Sequence, residues 1–352
     1  MLEIDGSLGE EGGQILRSAL TLSILSGQAV RLDNIRAGRP KPGLQAQHLK
    51  AVDAAAAISR AQVEGAALGS TRITFQPGEI RPGRYKFDIG TAGAATLVLQ
   101  TIFLPLSRAG SASSVILSGG THVPWAPTFH DLDLHWLPLL RELGFEARLS
   151  LDAAGFYPQG GGRITAHIRP AGTIRPLALE SRGEPAGLSG LTAVANLELS
   201  IADRQRRQAL RRLPPDPAPR IKTLQLPGPN KGTFLLLQAG YRPAAGSSSA
   251  ARCCYTGLGA LGKPAERVAD EAVDALEAFL ATDGCVDQYL ADQLLLPLAL
   301  SGGPSRFRTS QVTAHLTTNA AILEAFGLAA VRIEGQPGAP GLVRVEPAGK
   351  GL

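Results

Sequence analysis

Apolar residues recur at helical spacing over 15–26 and the run stops at Gly27, which predicts a helix closed by a glycine. A second helical pattern covers 43–60 through Leu44, Leu49, Val52, Ala55 and Ile58. Further helices are expected at 92–107, 131–143 and 264–281, and the apolar stretch 289–301 has the same character. Between them lie short strand-like runs at 29–35, 71–76, 84–88, 114–118, 145–151 and 233–238, with a strand-rich stretch at 188–201. Strands alternating with helices predict α/β or α+β layers.

Glycine turns recur at 9–13, 90–93, 118–120 and 160–162, each joining a strand to another element. They suggest two or three copies of one unit of strands and two helices. The pattern changes near residue 181. There follow a basic helix at 202–213 with five arginines, a proline break at 214–219 and a polar loop at 243–251. A smaller inserted domain is therefore expected at 181–268, with a discontinuous large domain of 1–180 and 269–352 around it. Its basic helix either touches a polyanion or is a solvated face.

At 352 residues the chain is too long for one ordinary core. Hydrophobic residues make up 44% and charged ones 18%, in the range of folded proteins. A net charge of +5 leans toward polyanionic partners, while only 5% aromatics argues against reading single strands by stacking alone. Cys253, Cys254 and Cys285 form no zinc spacing, which favours a reducing, cytoplasmic setting. With no run of 18 uncharged apolar residues, no membrane span is expected.

Five stretches can carry chemistry. Residues 4–20 surround Glu10 and Glu11 with glycines and lead into a helix bearing Arg17 one turn in, an arrangement suited to a phosphate with a carboxylate for a divalent cation. Arg36, Arg39 and Lys41 crowd a proline- and glycine-punctuated loop before the next helix, a possible phosphate clamp. Asp292 and Gln293 interrupt an apolar helix, and a buried carboxylate there needs a partner. Residues 118–131 hold a glycine turn, His122, Trp125 and Pro127. His315 lies in QVTAHLTTN, a strand-like run expected to open into a helix near Thr318 or Asn319. Each has a plainer alternative, such as a tight turn, a solvated loop or an exposed helix face.

Together these motifs resemble the RNA 3′-terminal phosphate cyclases. The resemblance runs through DGSLGEEGGQILR at 5–17, RAGRPKPGL at 36–44, TAGAATLVLQT at 91–101, SGGT with AP at 118–127, GFYPQGGG at 155–162, YLADQLLLPLAL at 289–300 and AHLTTN at 314–319. It implies an α+β fold whose large domain has three repeated units, each a four-stranded sheet with two helices, and whose smaller α/β domain is inserted before the last part. It implies ATP-dependent conversion of an RNA 3′-phosphate to a 2′,3′-cyclic phosphate, with Mg²⁺ or Mn²⁺, and leaves monomer or homodimer open. His315 then matches the adenylylated histidine and Glu10 the metal-holding carboxylate. Arg17, Arg36, Arg39 and Gln47 match phosphate contacts, and Gln100, Pro127, Tyr289, Asp292 and Gln293 the nucleotide pocket. The chain departs from the pattern in three places. Glu11 replaces a glycine, Tyr289 stands where some relatives carry histidine, and Cys253 and Cys254 stand where some carry aromatics. Two rival readings share the architecture, a cyclase-like ribosome-assembly protein without the histidine and an enolpyruvyl transferase.

Overall fold

The computed structural model describes residues 1–9, 12–215 and 218–349. Its first three sheets repeat one topology. In the first unit, β1 (Leu2–Asp5), α1 (Gln14–Ser26), β2 (Val30–Asp33), α2 (Ala46–Ser59), β3 (Gln62–Glu64) and β4 (Ile73–Gln76) form a sheet in the order β1-β2-β4-β3. The second unit contains β5 (Arg84–Asp88), α3 (Ala95–Ser107) and β6 (Ser113–Gly119). A continuous helical stretch follows, made of α4 (Phe129–Asp131), a π-turn (Leu132–Trp136) and α5 (Leu137–Leu143). Then β7 (Glu146–Ala153) and β8 (Gly162–Arg169) close a sheet in the order β5-β6-β8-β7.

The third unit starts with β9 (Ala178–Leu179) and is interrupted before its first helix. Between lie β10 (Pro185–Ala195), α6 (Leu199–Arg212), β11 (Arg220–Gln225), β12 (Gly232–Tyr241), β13 (Arg252–Leu258) and α7 (Ala265–Leu280), which make their own sheet in the order β11-β10-β12-β13. The unit then resumes with α8 (Gln288–Ala299), β14 (Ser305–Thr309), α9 (Ala314–Ala325), β15 (Ala329–Glu334) and β16 (Gly341–Pro347). Its sheet order, β9-β14-β16-β15, matches the first two units. In all three, the first two strands pair in parallel and the rest antiparallel.

Strand alternation explains the layering, because residues two apart share a face. In the third sheet one row, Leu179, Phe307 and Val343, is fully buried, while Arg306 and Arg344 in the next row face outward. The buried rows meet the helices, whose apolar faces complete one continuous core. The first helices of the three units, α1, α3 and α8, also meet through polar groups. Thr21 Oγ1 donates to the Thr101 carbonyl at 2.8 Å, Gln100 Nε2 to Gln293 Oε1 at 2.8 Å, and Gln14 Nε2 to Asp292 Oδ2 at 2.8 Å.

Two sequence expectations need correction. Within 188–201 only the part to Ala195 is strand, since α6 already starts at Leu199. The His315 run is helical from Ala314, because the Thr313 hydroxyl accepts the Leu316 amide and caps α9. The β-branched residues before it had imitated a strand. Among the described residues, no helix is long and apolar enough to cross a membrane.

Candidate active site

The amino ends of α1 and α9 bring Gln14 against His315. Gln14 Nε2 lies 3.1 Å from the His315 carbonyl oxygen, which can only accept, so the amide orientation is fixed. The amide oxygen Oε1 then faces His315 Nδ1 at hydrogen-bond distance. An amide oxygen cannot donate, so Nδ1 carries the proton and the in-plane lone pair belongs to Nε2. One turn further, Ser18 Oγ donates to Asn319 Oδ1 at 2.6 Å, and Asn319 Nδ2 donates to the Asp292 carbonyl at 3.0 Å. These bonds fix α9 against α1 and α8.

The cations gather on one side of this junction. Arg17 is half-buried, and burial lowers its guanidinium to about 10, with Asp292 acting against the shift. It stays charged at neutral pH. Asp292 is pushed up by burial to about 7, with Arg17 pulling the other way. Arg36 adopts φ 55°, and its Nη1 donates to the carbonyls of Lys41 (2.7 Å) and Gly43 (2.9 Å), so it staples its own loop. Burial and the neighbouring Arg39 both lower its pKa. Arg39 Nη2 lies 3.5 Å from where a Cβ on Gly12 would stand.

His48 closes the floor. Burial, with Arg17 and Arg36 nearby, drives it down to about 3, so the ring is neutral. Its Nδ1 accepts the Gln45 amide at 3.2 Å, and its Nε2 lies 2.3 Å from the position of a Cβ on Gly13. Only glycine fits at 13, although its φ of −79° would allow any residue. Arg17 and Arg39 beside the glycine-walled helix start, with Arg36 adjoining Arg39, form an arrangement that could hold an anion.

Gln47 accepts the Ala94 amide at 2.7 Å and so joins α2 to the amino end of α3. Pro127 reaches that helix through its carbonyl, which accepts from Thr96 Oγ1 at 2.8 Å. Thr96 is one turn N-terminal of Gln100 on α3, and Tyr289 is one turn N-terminal of Gln293 on α8. Pro127, through Thr96, and Tyr289 are thus each placed about one turn from the Gln100–Gln293 contact, and Tyr289 is 59% exposed. Glu10, expected to hold a metal, lies outside the described residues, as does Glu11. Among the described residues no three metal-capable side chains cluster.

A match to the family model of the RNA 3′-terminal phosphate cyclases covers residues 8–333. A cyclase of that name from Gloeothece citriformis (strain PCC 7424) is 44% identical over 346 residues, spanning 94% of this chain and 95% of its own. That of Ralstonia nicotianae (strain ATCC BAA-1114 / GMI1000) is 45% identical, with 92% and 91% covered. That of Archaeoglobus fulgidus (strain ATCC 49558 / DSM 4304 / JCM 9628 / NBRC 100126 / VC-16) is 42% identical, with 95% and 98% covered. The chain belongs to the RNA 3′-terminal phosphate cyclase family. A solved enolpyruvyl transferase, NikO from Streptomyces tendae, aligns over 98% of this chain and 82% of its own at 13% identity, but its TM-score of 0.26 gives the likeness no weight.

Several contributors in this cyclase were not singled out from its sequence. Gln14 and Asn319 look like ordinary helix residues, and His48 like a core histidine. Asp287 is the largest omission. Its fully buried carboxylate accepts the amides of Tyr289 (3.0 Å) and Leu290 (2.9 Å), capping α8, and also the Cys254 amide (3.2 Å) and His135 Nε2 (2.7 Å). An Asp ahead of a helix run is a readable cap. Its other two partners, from β13 and the π-turn, are not.

The basic helix α6 is accounted for without a polyanion at two of its arginines. Arg204 forms a two-point pair with Glu266, and Arg212 reaches Asp270, Asp274 and Glu277, all on α7.

Proposed function

We propose that this cyclase activates an RNA 3′-phosphate with ATP through a covalent adenylate on His315 Nε2. The Gln14–His315 contact carries the reading, because it leaves the nucleophilic lone pair on the ring nitrogen away from Gln14. Arg17, Arg36 and Arg39 would hold the phosphates, Gln47 would steady the neighbouring wall, and Pro127 and Tyr289 would sandwich the adenine above Gln100, Asp292 and Gln293.

The chemistry balances in three transfers. His315 Nε2 attacks the α-phosphorus and pyrophosphate leaves, stabilised by the guanidinium groups. An oxygen of the RNA 3′-phosphate then displaces the imidazole from the adenylate, forming an RNA–adenylate. Finally the neighbouring 2′-hydroxyl attacks the 3′-phosphorus, loses its proton and expels AMP. Proximity makes this last step fast and confines it to RNA. Glu10 is the carboxylate we assign to Mg²⁺ or Mn²⁺, which takes one or two carboxylates and completes its shell with phosphate oxygens and water. That ion would neutralise phosphate charge. The inserted domain expected at 181–268 is read as running on through the rest of α7 to Leu280, within a catalytic body formed by the residues on either side.

The test is incubation with α-labelled ATP without RNA, then supply of a 3′-phosphorylated oligoribonucleotide. Acid-labile, alkali-stable label on His315, discharged by the RNA with formation of phosphatase-resistant ends, is the expected result. Equal labelling of His315→Ala overturns the assignment. Absence of any label favours a binding protein of the same architecture.

A further inference from the structure

Among the described aromatic residues Trp125 is the most exposed. It is 98% accessible, whereas the protein's other tryptophan, Trp136, is 4% accessible and edge-packed on Phe103. An indole that size is seldom left wholly in water. Its backbone is also in the left-handed region, at φ 65°, which costs a non-glycine residue stability.

The loop holding it is not slack. The amides of Thr121 and His122 donate to the Gly155 carbonyl at 2.9 and 3.0 Å, and the Phe129 amide returns to the Thr121 carbonyl at 2.8 Å. Val123 is buried, Thr128 and Asp131 cap each other's backbone, and Pro127 is bonded to Thr96. The segments on both sides of Trp125 are therefore pinned, and its side chain lies outward two residues from the proline assigned to the nucleotide pocket. The strain and the exposure occur together between two anchored segments, which is the pattern of a residue kept for contact.

We propose that Trp125 is a stacking platform for a nucleobase, and that the base is the one at the RNA 3′ end. The choice of RNA follows from shape. A small ligand such as ATP is enclosed on most sides by its pocket, whereas a base of a flexible strand can stack on an open aromatic face. Stacking is indifferent to base identity, since every base has a π-face. The platform would thus hold any RNA end while the arginines hold its phosphate. The inference rests on an RNA end being the substrate.

Two tryptophans, one exposed and one buried, make the experiment direct. Iodide-quenchable emission reports Trp125, because iodide does not reach Trp136. The full-length protein is titrated separately with ATP and with a 3′-phosphorylated oligoribonucleotide, alongside the His315 labelling assay. Quenching of that emission by RNA, with protection from iodide, is expected. Trp125→Ala should raise KM for RNA about tenfold, Trp125→Phe should recover most of it, and Trp125→Gly should melt higher than the parent while sharing the raised KM. Quenching by ATP alone would move the platform to the adenine and overturn the RNA assignment. An emission shift that follows protein concentration would indicate a second copy and overturn it too. If His315 labels and discharges normally but RNA leaves Trp125 unaffected, the platform fails and the adenylate reading stands. If His315 takes no label, the adenylate reading fails by its own assay, while RNA-dependent quenching still decides the platform.

Discussion

His135 Nε2 and Asp287 Oδ2 lie 2.7 Å apart, both nearly inaccessible to solvent. The pair fastens the π-turn of the second unit to the cap of α8, the helix that carries Tyr289, Asp292 and Gln293. The same stretch grips the inserted sheet, since Asp131 Oδ1 accepts from Thr256 Oγ1 at 2.7 Å and the Leu134 carbonyl from Gln238 Nε2 at 2.9 Å.

Removing that grip should loosen nucleotide binding before it harms the fold. His135→Ala leaves Asp287 three backbone donors, so a loss of about 1–3 kcal/mol in stability is expected. KM for ATP should rise more than kcat falls. His135→Gln, whose amide can donate from a similar position, should restore most of the ATP affinity. Urea unfolding and steady-state kinetics on the two variants check this.

Gln14→Leu keeps the volume of a buried side chain but frees His315 to adopt either tautomer. The adenylylation rate should fall by about 10–100-fold, roughly the effect of a misplaced catalytic group. The α-label assay measures it directly, and a parent-like rate would show that Gln14 does not set the tautomer.

A methyl at position 13 should act through His48. Gly13→Ala places its Cβ 2.3 Å from His48 Nε2 and 2.9 Å from Arg17 Nη1. Overpacking of this kind costs about 1–3 kcal/mol. His48→Ala in the same chain should recover part of that stability, so the two changes are expected to be non-additive in a double-mutant cycle.

Acid should destabilise the protein through its buried histidines. His48 and His130 are driven by burial to about 3 and about 4, and His122, whose Nε2 faces His130 Nδ1 at 2.8 Å, is lowered too. Below about pH 6.5 the unfolded chain takes up protons that these folded rings refuse, so stability falls as pH falls from there toward 4. Asp292 has the opposite sign. Raised to about 7, it holds a proton the unfolded chain releases above about pH 4, and that contribution is lost as pH rises through 7. His48→Gln should flatten the acid-side slope by about one proton, read from urea unfolding at a series of pH values.

Much of this was readable beforehand. The helices at 15–26 and 92–107, the repeated glycine turns and the cationic loop at 36–41 follow from periodicity and composition. The basic helix reads from sequence as touching a polyanion or as a solvated face, and the pairing of Arg204 and Arg212 with α7 is missed, although Glu266, Asp270, Asp274 and Glu277 recur at helical spacing. What stayed hidden depends on distance in the chain. Gln14 and His315, or His135 and Asp287, meet only after three units have folded together, and no local pattern marks either glutamine or histidine for its partner.

The interruption of the third unit sets an order of assembly. Strand β9 must wait for the whole intervening sheet before β14 arrives beside it, and the pairing there spans two residues, Arg306↔Ala178 and Phe307↔Leu179. So short a ladder contributes little toward closing the intervening segment, which has a sheet of its own. Helix α9, with His315, is also made after every other helix of the three units, so under the proposed chemistry a nascent chain that ends before it has no residue to take the adenylyl group.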